Sequence, residues 1–305
     1  MSTDKMTDNK VQPWKTHTIS ESIGYGKLRD NQNWSSSYCF VVGSDPQFGY
    51  CTDCKPRPPT CWHQEMNRSM KAVEKINALR PRPQFVVICG DLVHAMPSKD
   101  EKTNKLQVQD FKKVYDKLHR SISLVCVCGN HDVGNEADEQ SIDMYRDEFG
   151  QDYFSYWCGG VRFLVLNTQY YKKNTVQEKA KEQQQWLEGQ LAKHKGQRIV
   201  VFQHIAWFAL KIDEDETDYN LGKQLRMEML EKFAKAGVTH IFYGHIHRNH
   251  ETSYKGMDMI TTNAIGNPLG ENPDPPGLRL VKVYENNLTH QYYSLEEFPC
   301  CVDLN

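Results

Sequence analysis

"SLVCVCGNHDVGN", residues 123–135, is a short apolar run that stops at Gly129 and then delivers an amide, an imidazole and a carboxylate in consecutive positions. A short apolar run of this composition reads as a strand. Asn130, His131 and Asp132 would then stand at its carboxyl end, where a glycine lets the chain leave the sheet. Neither a strand interior nor an ordinary turn needs that trio.

The same design recurs along the chain. "VVGSDPQ" (41–47) ends in Asp45 and Gln47, "VVICGDLVH" (86–94) in Asp91 and His94, "VVFQH" (200–204) in His204, and "IFYGHIH" (241–247) in His245 and His247. At the carboxyl edge of an open α/β sheet the loops converge on a ligand, so residues distant in sequence share one rim. A lone histidine at a strand end is usually a hydrogen-bonded core residue. Five strand ends carrying two aspartates, two amides and several histidines are a different matter, since burying them without a common partner is costly. Shared cations satisfy all of them.

Periodicity places strands at 38–44, 84–90, 124–129, 162–168, 199–204, 240–245, 258–264, 279–285 and 289–295. Amphipathic helices are expected at 67–80, 109–120, 141–150, 176–194 and 225–237, the last stopped by Gly237. Strand and helix alternate through the first two thirds, and only strands follow. This predicts an α/β sandwich whose second sheet is completed by the C-terminal strands. No linker, repeat or low-complexity tract interrupts residues 36–296. One domain over 36–296 is therefore expected, with an N-terminal extension at 1–35 and a C-terminal tail at 297–305.

Charge narrows the function. A formal net charge of −2 offers no field to gather nucleic acid or an anionic membrane, so neither is an expected partner. The first twenty residues are polar and no apolar run reaches the length of a membrane span, so neither a signal peptide nor an anchor is expected and the location is predicted to be cytoplasmic. Ten cysteines suggest disulfides only in a secreted chain; Cys89, Cys126 and Cys128 lie inside apolar runs and are expected as free thiols. Cys51, Cys54, Cys61 and His63 have the residue types of a structural zinc site, but their spacing fits no common finger. A surface loop with loose thiols is the expectation there.

The ordered series D-x-(H/Q), GDxxH, GNHD, a single His, then GHxH, spread from position 45 to position 247, resembles the calcineurin-like metallophosphoesterases. "SDPQFG", "CGDLVHAMP", "CGNHDVGN" and "YYSLEE" are most similar to a cytosolic member that is a Ser/Thr protein phosphatase, and that likeness covers nearly the whole chain. The resemblance implies a four-layer αββα sandwich of two mixed sheets and a centre of two divalent metals. It implies one ion on Asp45, Gln47, Asp91 and His247, and another on Asp91, Asn130, His204 and His245, with Asp91 shared. A hydroxide between the ions would be the nucleophile. His131 would then be the acid beside the metal ligand Asn130, oriented by His94 or by Asp132, which has the alternative role of capping the following loop.

Two departures from the family qualify this. The protein phosphatase branch has an Arg after its GDxxD motif and another shortly after GNH; "HAMP" and "DVGN" supply neither. Phosphate binding is expected to rest on the metals, Asn130 and His131, with Arg248 nearby. Gln47 stands where most of the family has His, and an amide ligates only through its carbonyl oxygen. Manganese or magnesium is therefore expected, with iron or zinc as alternatives. The expected activity is hydrolysis of phosphoserine or phosphothreonine in proteins by a monomer. A phosphodiesterase or nucleotidase with the same centre is the first alternative, and an inactive metal-binding scaffold the second.

Overall fold

The computed structural model describes residues 32–50, 61–173 and 175–305. Expectations for residues 1–31 and for Cys51 and Cys54 lie outside the described residues. In chain order the elements are β1 (Tyr38–Gly43), α1 (His63–Ala78), β2 (Phe85–Ile88), α2 (Glu101–Tyr115), β3 (Ser123–Cys126), α3 (Asn130–Val133), α4 (Glu139–Phe149), β4 (Phe154–Cys158) and β5 (Val161–Val165). They continue with α5 (Gln169–Lys172), α6 (Gln177–Lys193), β6 (Ile199–Phe202), α7 (Lys223–Ala236), β7 (Val238–Tyr243), β8 (His250–Tyr254), β9 (Met257–Thr261), β10 (Gly277–Val283) and β11 (Leu288–Ser294).

The strands form two mixed sheets, ordered β11-β10-β1-β2-β3 and β4-β5-β6-β7-β9-β8. Each has a parallel centre, β1 with β2 and β3 in one and β5 with β6, β7 and β9 in the other. Side-chain alternation explains the four layers. On β1, Phe40 and Val42 face the other sheet, while Cys39 and Val41 face the helices. The space between the sheets is filled by Phe40, Phe85, Phe163, Phe202 and Phe242, with Phe40 stacked on Phe85 at 4.6 Å and Phe163 on Phe202 at 5.7 Å. Helices α1, α2 and α4 cover the outer face of the first sheet, and α6 and α7 that of the second. Because both faces of each central strand are buried, these strands read in sequence as continuous apolar runs.

One topological expectation is corrected. The C-terminal strands β10 and β11 complete the first sheet, where β10 pairs antiparallel with β1 from Tyr38↔Val283 to Val42↔Arg279. Only β8 and β9 extend the second. The C-terminal segment docks on the domain: Arg80 N–H donates to Cys300 O at 2.9 Å, Val302 N–H donates to Arg80 O at 2.8 Å, and Phe298 is buried. No helix among the described residues is long and apolar enough to cross a membrane.

Candidate metal centre

The carboxyl ends of β1, β2, β3, β6 and β7 meet where the two sheets adjoin. Asp45, Gln47, Asp91, His245 and His247 all adopt positive φ, from 38° at Gln47 to 70° at His245; among the described non-glycine residues only Lys255 shares this. Left-handed backbone at such residues costs energy and persists only where the surroundings impose it, and it clusters at functional sites. Here it turns each side chain back toward the rim. Gly90 turns sharply, with φ of 86°, as its place after a strand suggests. Gly129 serves close approach instead: a Cβ there would lie 2.2 Å from Asp91 N and 2.3 Å from Asp91 Oδ1.

Two sets of ligand atoms converge, Asp45 with Asp91 and His247, and Asp91 with His204 and His245; within each, the atoms lie within 4.8 Å of one another. Asp91 belongs to both. Three of the imidazoles are oriented by backbone carbonyls, which can only accept. His204 Nδ1 donates to Cys89 O at 2.8 Å, His247 Nδ1 to Asn267 O at 2.6 Å, and His245 Nε2 to Asp218 O at 2.8 Å. The opposite nitrogen of each ring faces the centre. His204 Nε2 stands 3.3 Å from Asp91 Oδ1, 3.1 Å from His245 Nδ1 and 3.1 Å from Asn130 Oδ1; His247 Nε2 is 3.3 Å from Asp45 Oδ1.

The donor set fits divalent cations. Asp45 Oδ2 is occupied by the Ser44 hydroxyl at 2.5 Å and His245 N–H at 2.9 Å, while buried Oδ1 accepts no hydrogen bond and faces His247 Nε2 at 3.3 Å. Gln47, 2% exposed, donates from Nε2 to Asp91 Oδ2 at 3.2 Å and leaves Oε1 buried without a hydrogen-bond partner. Its side chain therefore turns into the group. Native structures rarely leave two such oxygens unmatched, and oxygen donors of this kind suit hard cations. The electrostatics agree. Burial opposes ionisation of Asp91, yet His204 and His131 hold its carboxyl well below the usual range. Burial likewise opposes a charge on His204, yet Asp91 holds it up at about 9; His247 is raised against its burial by Asp45. Burial and then His204 pull His245 down to about 4. The carboxylates thus draw positive charge to this rim.

His131 sits beside the group, its main-chain N–H donating to Asp91 Oδ1 at 2.8 Å. Its Nδ1 donates to the main-chain oxygen of His94 at 2.6 Å, and the two rings stack at 4.6 Å. Of the two residues weighed from sequence, His94 is the one that holds Nδ1, and it does so through its main-chain oxygen. Asp132 is buried elsewhere and accepts from Gly129 N–H at 2.8 Å and Leu92 N–H at 2.9 Å, tying the GNHD turn to the GD loop. Burial and the Asp91 charge push its carboxyl up.

Arg248 follows His247 in the chain and turns to the 269–274 loop. Its Nε donates to Leu269 O at 3.0 Å, and its side chain lines a cavity with Asn249 and residues 269–274 that contains none of the candidate ligands. Sequence reasoning also missed Ser44 and Asn135, which accepts from Asn130 Nδ2 at 2.8 Å and leaves Oδ1 of Asn130 facing His204. The only sequence signal was their proximity to Asp45 and Asn130. Cys61 Sγ lies 3.7 Å from His63 Nδ1, and every described cysteine is a free thiol.

The family model for calcineurin-like phosphoesterases matches residues 60–249. The chain is 43% identical over 274 residues to the Homo sapiens protein "Serine/threonine-protein phosphatase CPPED1", covering 87% of this chain and 86% of that one. It is 37% identical over 282 residues to the Danio rerio protein of the same name, covering 89% and 90%. In fold it is similar to a solved dimetal phosphatase from Danio rerio, with a TM-score of 0.59 at 16% identity over 85% of this chain and 97% of that one.

Proposed function

The chain belongs to the calcineurin-like phosphoesterase family, and on that premise we propose that it is a two-metal phosphomonoesterase that dephosphorylates phosphoserine and phosphothreonine in proteins. The observation that carries this reading is the pair of ligand groups sharing Asp91, with Asp45 Oδ1 and Gln47 Oε1 buried and unmatched beside it. One ion would be held by Asp45, Gln47, Asp91 and His247, the other by Asp91, Asn130, His204 and His245. Two divalent cations held there would neutralise charge on the phosphoryl oxygens and make a nucleophile of water near neutral pH. The first set has a single nitrogen donor, which favours manganese or magnesium over zinc or iron.

The residues of the chain do the rest. His131 Nδ1–H is held by His94 O, which fixes the ring and leaves Nε2 free of that bond. Nε2 is then the atom that hands its proton to the serine oxygen as the P–O bond breaks, so that an alcohol departs instead of an alkoxide. Asp132 keeps that turn in register with Asp91 through its two N–H contacts. The relatives' printed name supports a phosphoprotein substrate. Buried thiols at Cys39, Cys89, Cys126, Cys128 and Cys158 support a reducing, cytoplasmic setting.

The test compares nitrophenyl phosphate, bis-nitrophenyl phosphate and a phosphoserine peptide after reconstitution with manganese. Monoester and peptide should both be turned over much faster than the diester. A diester preference would sink the monoesterase reading.

A further inference from the structure

A cavity lies next to the candidate acid, lined by His131, His94, Met96, Lys99, Asp100 and Thr103. Nδ1 of His131 is committed to His94 O, so Nε2 is the ring atom left for the departing oxygen. A peptide whose serine oxygen meets that atom passes His131, which lines this cavity. Most of the polar groups around it are already engaged. Gln107 Oε1 accepts from His94 N–H at 3.1 Å and Ala95 N–H at 2.8 Å, Trp62 Nε1 donates to Asp110 at 3.0 Å, and Asp100 Oδ1 caps α2 by accepting from Thr103 N–H at 3.0 Å. Lys99 is exposed and has no ion pair among the described residues. Its ammonium is the cationic group of that lining with no ion-pair partner, whereas the neighbouring Asp100 carboxylate is turned to the start of α2 through Thr103 N–H.

From this we propose that the cavity is a peptide subsite and that Lys99 determines specificity there, favouring phosphoserine peptides with an acidic residue flanking the phosphoserine. The inference rests on the phosphoprotein reading above and narrows its substrate class. Lys99 pairs with the flanking carboxylate and leaves the phosphoryl group to the centre. An exposed pair of this kind is worth only a modest preference, and salt screens it. Reversing the charge turns attraction into repulsion, which enlarges the readable effect.

The experiment uses the full chain reconstituted with manganese and three phosphoserine peptides that differ only in Asp, Ala or Lys flanking the phosphoserine. In the wild-type protein kcat/KM for the Asp peptide should exceed that for the Lys peptide by about three- to tenfold at low ionic strength, narrowing as salt is added. Lys99→Ala should remove the preference and Lys99→Glu should invert it. Nitrophenyl phosphate, which has no flanking residue, should be hydrolysed equally by all three proteins. The same peptides are also measured for binding by fluorescence anisotropy, so the preference is scored even without turnover. Wild type with no preference in either measurement, or a preference that survives Lys99→Glu, would overturn the assignment. Loss of nitrophenyl phosphate hydrolysis in wild type would instead count against the phosphomonoesterase reading, and the binding preference would still decide the role of Lys99.

Discussion

His131 is oriented by the main chain of His94: Nδ1 lies 2.6 Å from the carbonyl oxygen, while the two imidazoles stack with their centroids 4.6 Å apart. A carbonyl survives any side-chain replacement. His94→Phe, which keeps both the carbonyl and a flat ring, should therefore retain phosphopeptide turnover within a few-fold, whereas His131→Ala should lose roughly 10² to 10⁴. Steady-state kinetics of the two variants checks this. Equal losses in both would return the orienting role to the His94 side chain.

The acid role itself predicts a difference between substrates. Serine is a far worse leaving group than nitrophenolate, so the proton from His131 should matter more for the peptide. His131→Ala is expected to lower phosphopeptide turnover by a larger factor than nitrophenyl phosphate turnover. If both fall by the same factor, His131 only stabilises charge.

Gln47 turns into the ligand group with Oε1 unmatched, so its substitution should register in metal binding. Gln47→His offers an imidazole nitrogen and should raise affinity at the first set, reducing the excess of manganese needed for activity. Gln47→Ala should do the opposite. Superimposable manganese titrations for wild type and both variants would show that the side chain makes no contact with the ion.

Asp132 serves the architecture of the turn. Asp132→Ala leaves the buried N–H groups of Gly129 and Leu92 without their acceptor, at about 1–3 kcal/mol each. Thermal unfolding should shift down by several degrees. An unchanged midpoint would mean that water replaces the carboxylate there.

Much of this centre could be read from the chain because its strands are buried on both faces and end abruptly in ligand chemistry. Asp45, Asp91, Asn130, His204, His245 and His247 each stand just past a continuous apolar run, and the structure brings them together. Strand β8 escaped notice because it is a half-exposed edge strand, "HETSY", with no apolar face to set a period of two. The starts of α1 and α2 lie upstream of their predicted starts because their first turns are largely polar. Sheet membership of β10 depends on pairing with β1, more than two hundred residues away, which no local pattern records. The partner of His131 was illegible for another reason. It is a backbone oxygen, and every residue has one.

Acid stability offers a test away from the metal rim. His240 is buried at the base of β7; burial holds it down at about 4, against Asp258, whose Oδ2 lies 3.4 Å from Nε2, and with His290 and Arg198 adding to the depression. The unfolded imidazole titrates near 6.5. Between these values the unfolded chain binds a proton that the native state does not, so stability is full above the unfolded value and falls with pH by up to about 1.4 kcal/mol per unit. His240→Gln should lose less stability than wild type between pH 7 and pH 5 in urea unfolding. Parallel curves would contradict this origin.

The most direct measurement follows turnover of a phosphoserine peptide against manganese bound per chain, starting from chelator-treated protein. Two sets of ligands that share Asp91 predict no turnover without metal, little at one equivalent and full activity only as the second ion binds. Saturation at one equivalent, or turnover undiminished by chelation, would contradict the two-metal account.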